Sequence, residues 1–166
     1  MIEPDHLLAQ ARELLARGQG KPRQTDLRRA HSDAYYAVFH ALTDASARLL
    51  ISGKRDGIRL AIRRQYGHGS LRAACKLFAS GNKPADLLAA LAGLPVGNQV
   101  RTIARDFTAL QRMRHEADYN HLAVFAKADA VAAVDLAADT LALIDALKPQ
   151  RRLVDYAFLI SLLLQR

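Results

Sequence analysis

The chain has 166 residues, of which 51% are hydrophobic and 6% are aromatic, and its 24 basic and 16 acidic side chains give a formal net charge of +8. This length suits a single domain spanning residues 1–166 with a sizeable core. The only cysteine, Cys75, excludes an internal disulfide and indicates a reducing compartment. No cluster of Cys and His has the spacing of a zinc site, so we expect no metal and no cofactor.

The charge of the chain and its two terminal segments limit the kinds of partner that we expect. The N-terminal stretch MIEPDHLLAQ has neither the basic region nor the apolar region of a secretory signal. The longest apolar run, Ala157 to Leu164, is far shorter than the ~20 residues of a membrane span. We therefore expect a cytoplasmic protein with no membrane partner. The basic residues are mostly arginines, which makes an RNA or nucleotide partner plausible.

Apolar residues recur at helical spacing along the whole chain, and no window alternates as a strand does. The pattern predicts an all-α protein, an antiparallel helical bundle with four to five main helices plus short ones. Its core spans about 26–148, and a C-terminal helix at 151–165 docks on the bundle or joins a dimer. In chain order, we expect helices from Pro4 to about residue 17, from Asp26 to Leu50, within 58–66, 70–78 and 85–92, and then at 100–121, 127–147 and 153–164.

The second helix carries a polar line on the side opposite its small apolar residues. Arg29, Asp33, Tyr36 and His40 follow one another at i, i+4, i+7 and i+11. Such a line is commonly a solvated outer face. The alternative is a row that faces a partner subunit or a ligand, and both interpretations stay open.

The segment from Lys54 to Lys76 is the most basic part of the chain, with Asp56 as its single acid. Arg59 and Arg63 lie one helical turn apart, so both could contact one phosphate chain, with Tyr66 close enough to stack on a base. A solvated charged surface is the alternative. The candidate nucleic-acid-binding residues are Arg55, Arg59, Arg63, Arg64 and Arg72.

The helix predicted at 100–121 has a charged residue inside its apolar stripe. The stripe consists of Val100, Ile103, Phe107, Leu110, Arg114, Ala117 and His121. A guanidinium in that position needs partners, because an unpaired buried charge costs several kcal/mol or more. Asp118 lies one turn further on. Arg114 and Asp118 could be a structural pair that ties two helices together, or Arg114 and His121 could form part of a site.

Two segments together resemble a known family. LRRAHSDAYYAVFHAL (27–42) and LQRMRHEADYN (110–120) resemble the HEPN domain, the higher eukaryotes and prokaryotes nucleotide-binding helical bundle. The intervening GHGSLRAAC and the R-x-x-A-D-Y motif that begins at Arg114 are most similar to one bacterial branch of that family. The resemblance covers most of residues 26–147.

The resemblance implies a homodimer in which R-x4-6-H motifs of two chains meet at a shared cleft. Catalytic members cut RNA without a metal, by attack of a ribose 2′-hydroxyl on the adjacent phosphate. Here Arg114 would stabilise charge on the phosphate oxygens and His121 would move the proton. The supporting residues in the two motif segments are Asp33, Tyr36, His40, His115, Asp118 and Tyr119.

Three functions follow from the resemblance. The first is a toxin-like, metal-independent endoribonuclease, which could be paired with a nucleotidyltransferase-type antitoxin. The second is a non-catalytic module that binds RNA or a nucleotide, with Arg114 and Asp118 serving structure by bonding to Asp33, Tyr36 or His40. The third is a helical bundle that only binds other proteins.

Overall fold

A computed structural model describes residues 3–164, and these residues confirm the predicted all-α class. They form helices joined by turns and irregular segments, without a strand in the described part of the chain. None of these helices is long and apolar enough to cross a membrane. The helices are α1 (Pro4–Ala16), α2 (Gln24–Leu50), α3 (Asp56–Arg63), α4 (His68–Ala79), α5 (Ala85–Leu88), α6 (Asn98–Tyr119), α7 (Lys127–Asp145) and α8 (Leu153–Leu164).

The chain divides into two compact units, and α2, α6 and α7 each contribute residues to both. Unit one runs through His40 and resumes over Ala109–Ala142. Unit two consists of Ala41–Thr108 and the chain from Leu143 onward. The two motif segments that carry the family resemblance thus contribute their central residues, including Tyr36 and Arg114, to unit one.

Unit one is held by an antiparallel pairing of α2 with α6. Along α2, Arg28, Ser32 and Tyr36 bond in turn to Ala117, Asp118 and Arg114 of α6. The other side of α2 carries small residues, and alanine side chains let helix backbones come near each other. Ala30, Ala34 and Ala37 of α2 are fully buried.

In unit two, α8 packs against α4 of the same chain. The rings of Phe78 and Phe158 meet edge to face with their centroids 5.1 Å apart, and both side chains are fully buried. The start of α8 is fixed by the buried Asp155, whose carboxylate accepts the backbone N–H of Lys148 at 2.9 Å and pairs with Arg152 at 2.8 Å. The sequence leaves two roles open for the C-terminal helix, docking on the bundle or joining a dimer. The contact of α8 with α4 corresponds to docking within the chain.

Candidate functional site

The guanidinium of Arg114 lies at the centre of a polar cluster in unit one. Its Nε lies 2.6 Å from Oδ2 of Asp118, and its Nη2 donates to the hydroxyl of Tyr36 at 3.2 Å. It also lies 5.4–5.9 Å from the ring centroids of Tyr35, Tyr36 and Tyr119. Its side chain is only 18% exposed. The guanidinium is therefore surrounded by one carboxylate and three aromatic rings.

Asp118 is itself fixed by the facing helix. Its Oδ1 accepts a hydrogen bond from the hydroxyl of Ser32 at 2.6 Å, while Oδ2 faces Arg114. Burial disfavours the charge of Arg114, but Asp118, Tyr36 and Tyr119 together raise the pKa of this guanidinium above its ordinary value. The groups that stabilise the charge of Arg114 are thus internal ones, which favours the structural interpretation of the pair with Asp118.

The prediction that His121 shares a helical face with Arg114 is wrong. Helix α6 ends at Tyr119, and His121 lies beyond it in an exposed turn. Asn120 ends the helix because its side-chain oxygen accepts the N–H of Leu122 and its amide nitrogen donates to Glu116. An imidazole placed after the helix end no longer follows the 3.6-residue period from which the shared face was predicted.

Arg28 of α2 completes the end of α6 and was not among the predicted site residues. Its guanidinium donates to the backbone carbonyls of Ala117, Asn120 and Ala123 at 2.6, 3.0 and 2.6 Å. The last carbonyls of a helix lack partners within the helix, so a cation at this position both bonds to them and complements the helix dipole. The only signal in the sequence for this role of Arg28 is its position in LRRAHSDAYY, one helical turn before Ser32.

The other supporting residues do not form one solvated line. Asp33 is completely buried, with Arg29 at 2.9 Å from its Oδ1, and burial raises the pKa of this carboxyl even though Arg29 opposes the shift. Tyr36 and His40 are partly buried and stack with their ring centroids 6.1 Å apart. His115 is exposed, and its ring lies 4.8 Å from that of Tyr119. The outer-face interpretation of the α2 line is therefore wrong at Asp33.

The basic segment of unit two contains arginines of two kinds. Arg59 donates to the backbone carbonyls of Ile51 and Gly53, and Arg63 is largely buried 3.4 Å from Asp44. These two guanidinium groups are thus committed to internal partners, contrary to the predicted joint phosphate contact. The exposed arginines of this segment are Arg55, Arg64 and Arg72.

The predicted stacking role of Tyr66 is wrong. Its side chain is 6% exposed, and its hydroxyl donates to Ser46 at 2.5 Å within unit two. Ser46 in turn donates to the carbonyl of Leu159 at 2.6 Å. A tyrosine can be buried in this way because its ring is apolar and its hydroxyl retains a hydrogen bond.

A second imidazole, His31 of α2, is buried in unit one and lies beside Phe125, with ring centroids 5.0 Å apart. Within residues 3–164 neither of its ring nitrogens has a hydrogen-bond partner. Burial lowers the pKa of His31, and the nearby charge of Asp129 opposes that shift only in part. His31 is therefore neutral near pH 7.

The lowered pKa of His31 predicts a loss of stability in acid. Protonation favours the unfolded chain, where a histidine titrates near pH 6.5, so the stability is intact above this pH and falls as the pH drops through the folded pKa. The slope attributable to this one proton is at most about 1.4 kcal/mol per pH unit. Urea unfolding of the wild type, His31→Leu and the exposed-site control His6→Leu between pH 7.5 and 4.5 measures it. The slope should flatten only in His31→Leu, and equal slopes in all three would contradict the prediction.

Comparison of the chain with protein-family models, with curated proteins and with solved structures gave no match. Among the described residues no three His, Cys, Asp or Glu side chains are grouped so that they could hold a metal ion. The residues that bear on function are those of the Arg114 cluster in unit one and of the basic segment in unit two.

Proposed function

We propose that this protein is a HEPN-like module that binds the phosphate groups of RNA, or of a nucleotide, and does not cleave RNA. The contact surface consists of the exposed arginines of the basic segment, Arg55, Arg64 and Arg72. The observation that carries the proposal is the exposure of these three cations in a segment whose single acid, Asp56, faces Arg59.

The internal arginines of the segment support this assignment. Arg59 holds the chain before α3 through two backbone carbonyls, and Arg63 is fixed beside Asp44. Both contacts order the backbone from which the neighbouring exposed arginines project. A preordered cationic surface binds phosphate with less loss of side-chain and loop entropy on association.

The Arg114 cluster favours a binding module over a nuclease. A catalytic guanidinium must be able to direct its donors at the phosphate oxygens. Here Asp118 and Tyr36 face the guanidinium of Arg114, and Asp118 is held in turn by Ser32. His121 lies outside the helix that carries Arg114. Arg114 then serves to join α2 to α6.

A second candidate is the metal-independent endoribonuclease. The observation that favours it is the exposure of two imidazoles in an R-x4-6-H motif of permitted length, His115 directly after the arginine and His121 at the end of the motif. In this form the protein is a bacterial, cytoplasmic homodimer that builds its cleft from two chains. A toxin of this type would be neutralised by a nucleotidyltransferase-type antitoxin. The dimer would have to release Arg114 from Asp118.

Removing the exposed charges is expected to weaken RNA binding about tenfold or more at 100 mM salt. The triple variant Arg55→Ala/Arg64→Ala/Arg72→Ala loses three phosphate contacts, and each contact contributes about 0.7 to the slope of log affinity against log salt on a single strand. The slope should therefore fall by about 2. Fluorescence anisotropy with a labelled 20-nucleotide RNA at several salt concentrations measures both quantities.

The matched control is Arg12→Ala/Arg23→Ala/Arg151→Ala, which removes the same charge from three other exposed positions. Equal losses in the two triple variants would show that net charge alone drives binding and would overturn the assignment. The same incubations, analysed on a gel in the presence of EDTA, separate the two candidates. Cleavage by the wild type that disappears in His121→Ala would replace the binding module by the nuclease.

A further inference from the structure

A cavity of about 430 Å³ opens on unit one, and its lining includes none of the arginines proposed to bind RNA. Its apolar walls come from Met113 of α6, Ala132 of α7 and Phe125, which precedes α7. The volume lies within the usual range for sites that hold small organic molecules, about 300–1,000 Å³. A ring system of modest size would fit between these walls.

The buried imidazole of His31 is part of the cavity lining. The side chain is 3% exposed, and neither of its nitrogens is hydrogen-bonded within residues 3–164. A buried polar group without a partner costs free energy, which a ligand that bonds to it would recover. A neutral imidazole offers one acceptor and one donor. The lowered pKa of His31 is consistent with this neutral form.

The charged residues of the lining favour a positively charged ligand. Two carboxylates, Glu116 and Asp129, stand against one guanidinium, that of Arg112. Carboxylates accept hydrogen bonds and donate none, so they select groups that carry N–H donors. Together with the apolar walls, this composition describes a molecule with an apolar ring at one end and a cationic donor group at the other.

We propose that this cavity binds a flat organic cation, an aromatic ring that carries an amidinium or a similar planar N–H donor group. The ring lies against Met113 and Phe125, and the donor group points to Asp129 and His31. This orientation places the positive end of the ligand beside the carboxylate of Asp129 and the unpartnered ring nitrogens of His31.

Three probes of equal ring size and different charge test the proposal: benzamidine, benzyl alcohol and benzoate. We expect benzamidine to bind with a Kd in the millimolar range, as befits a small ligand. Benzyl alcohol should bind about fivefold more weakly and benzoate more weakly still. Chemical-shift perturbation in the full-length protein measures the three affinities and shows whether residues 112–132 respond. Tighter binding of benzoate, or no binding of any probe, would overturn the proposal.

Two variants locate the site without touching the Arg114 cluster. Asp129→Asn should weaken benzamidine about fivefold and leave benzyl alcohol nearly unchanged, whereas Asp139→Asn, an exposed change on the same helix, should alter neither. Ala132→Trp fills the cavity from an exposed position and should abolish binding of both. Unchanged affinities in Asp129→Asn and Ala132→Trp would contradict the assignment. RNA binding does not enter this test, so the two proposals can fail separately.

Discussion

Replacing Arg114 by alanine is expected to lower the free energy of unfolding by about 2–4 kcal/mol, more than any exposed arginine in the chain. The variant leaves the partly buried carboxylate of Asp118 without its cation, and it removes the bond to Tyr36. An exposed helical pair would contribute only about 0.3–0.5 kcal/mol. The larger value is expected because the Arg114 side chain is 18% exposed and lies 5.4–5.9 Å from the ring centroids of Tyr35, Tyr36 and Tyr119.

Urea unfolding of Arg114→Ala, Asp118→Ala and the double variant measures this coupling as a double-mutant cycle. The double variant should be more stable than the sum of the single losses predicts, because it leaves no uncompensated charge. Arg112→Ala is the matched control, since Arg112 lies two positions away on the same helix and is exposed. A loss below about 0.5 kcal/mol in Arg114→Ala would show that the guanidinium is not structural and would favour the nuclease over the binding module.

The periodicity of the sequence was sufficient to predict the helices of unit one and most of unit two. Apolar residues at helical spacing located α1, α2, α6, α7 and α8 to within a few residues of their observed ends. The placement of Arg114 inside an apolar stripe also predicted correctly that it needs partners, and Asp118 and Tyr36 are two of those proposed. Both results depend on local spacing, which a single sequence contains.

The errors arose where a contact joins residues distant in sequence. Arg28, which lies 89 positions before Ala117, supports the end of α6 beside the local cap made by Asn120, and the periodic pattern through His121 gave no sign of this contact. In the same way, the hydroxyl of Tyr66 bonds to Ser46 and the ring is buried, although Tyr66 lies in the basic segment and both adjacent residues are exposed. Charge and spacing could not distinguish Arg63, held by Asp44, from the exposed Arg64 beside it.

Replacing Arg28 by methionine is expected to lower the free energy of unfolding by about 2–3 kcal/mol. A bond from a charged donor contributes about 1.5–3 kcal/mol, and the three bonds of Arg28 share one side chain and are only partly shielded from solvent. Methionine retains an apolar side chain of similar reach, so the loss reports mainly the bonds to Ala117, Asn120 and Ala123. The carbonyls left without partners should allow the last turn of α6 to fray.

Amide hydrogen exchange locates this effect. In Arg28→Met the amides of residues 117–125 should exchange at least tenfold faster, while those of α4 and α8 should change only in proportion to the global loss of stability. Arg12→Met, an exposed substitution on α1, is the control and should leave both regions unchanged. Faster exchange spread evenly over all helices would instead assign Arg28 to general packing. A local effect would mean that Arg28 and Asn120 together hold the end of α6, beyond which His121 lies outside the helix.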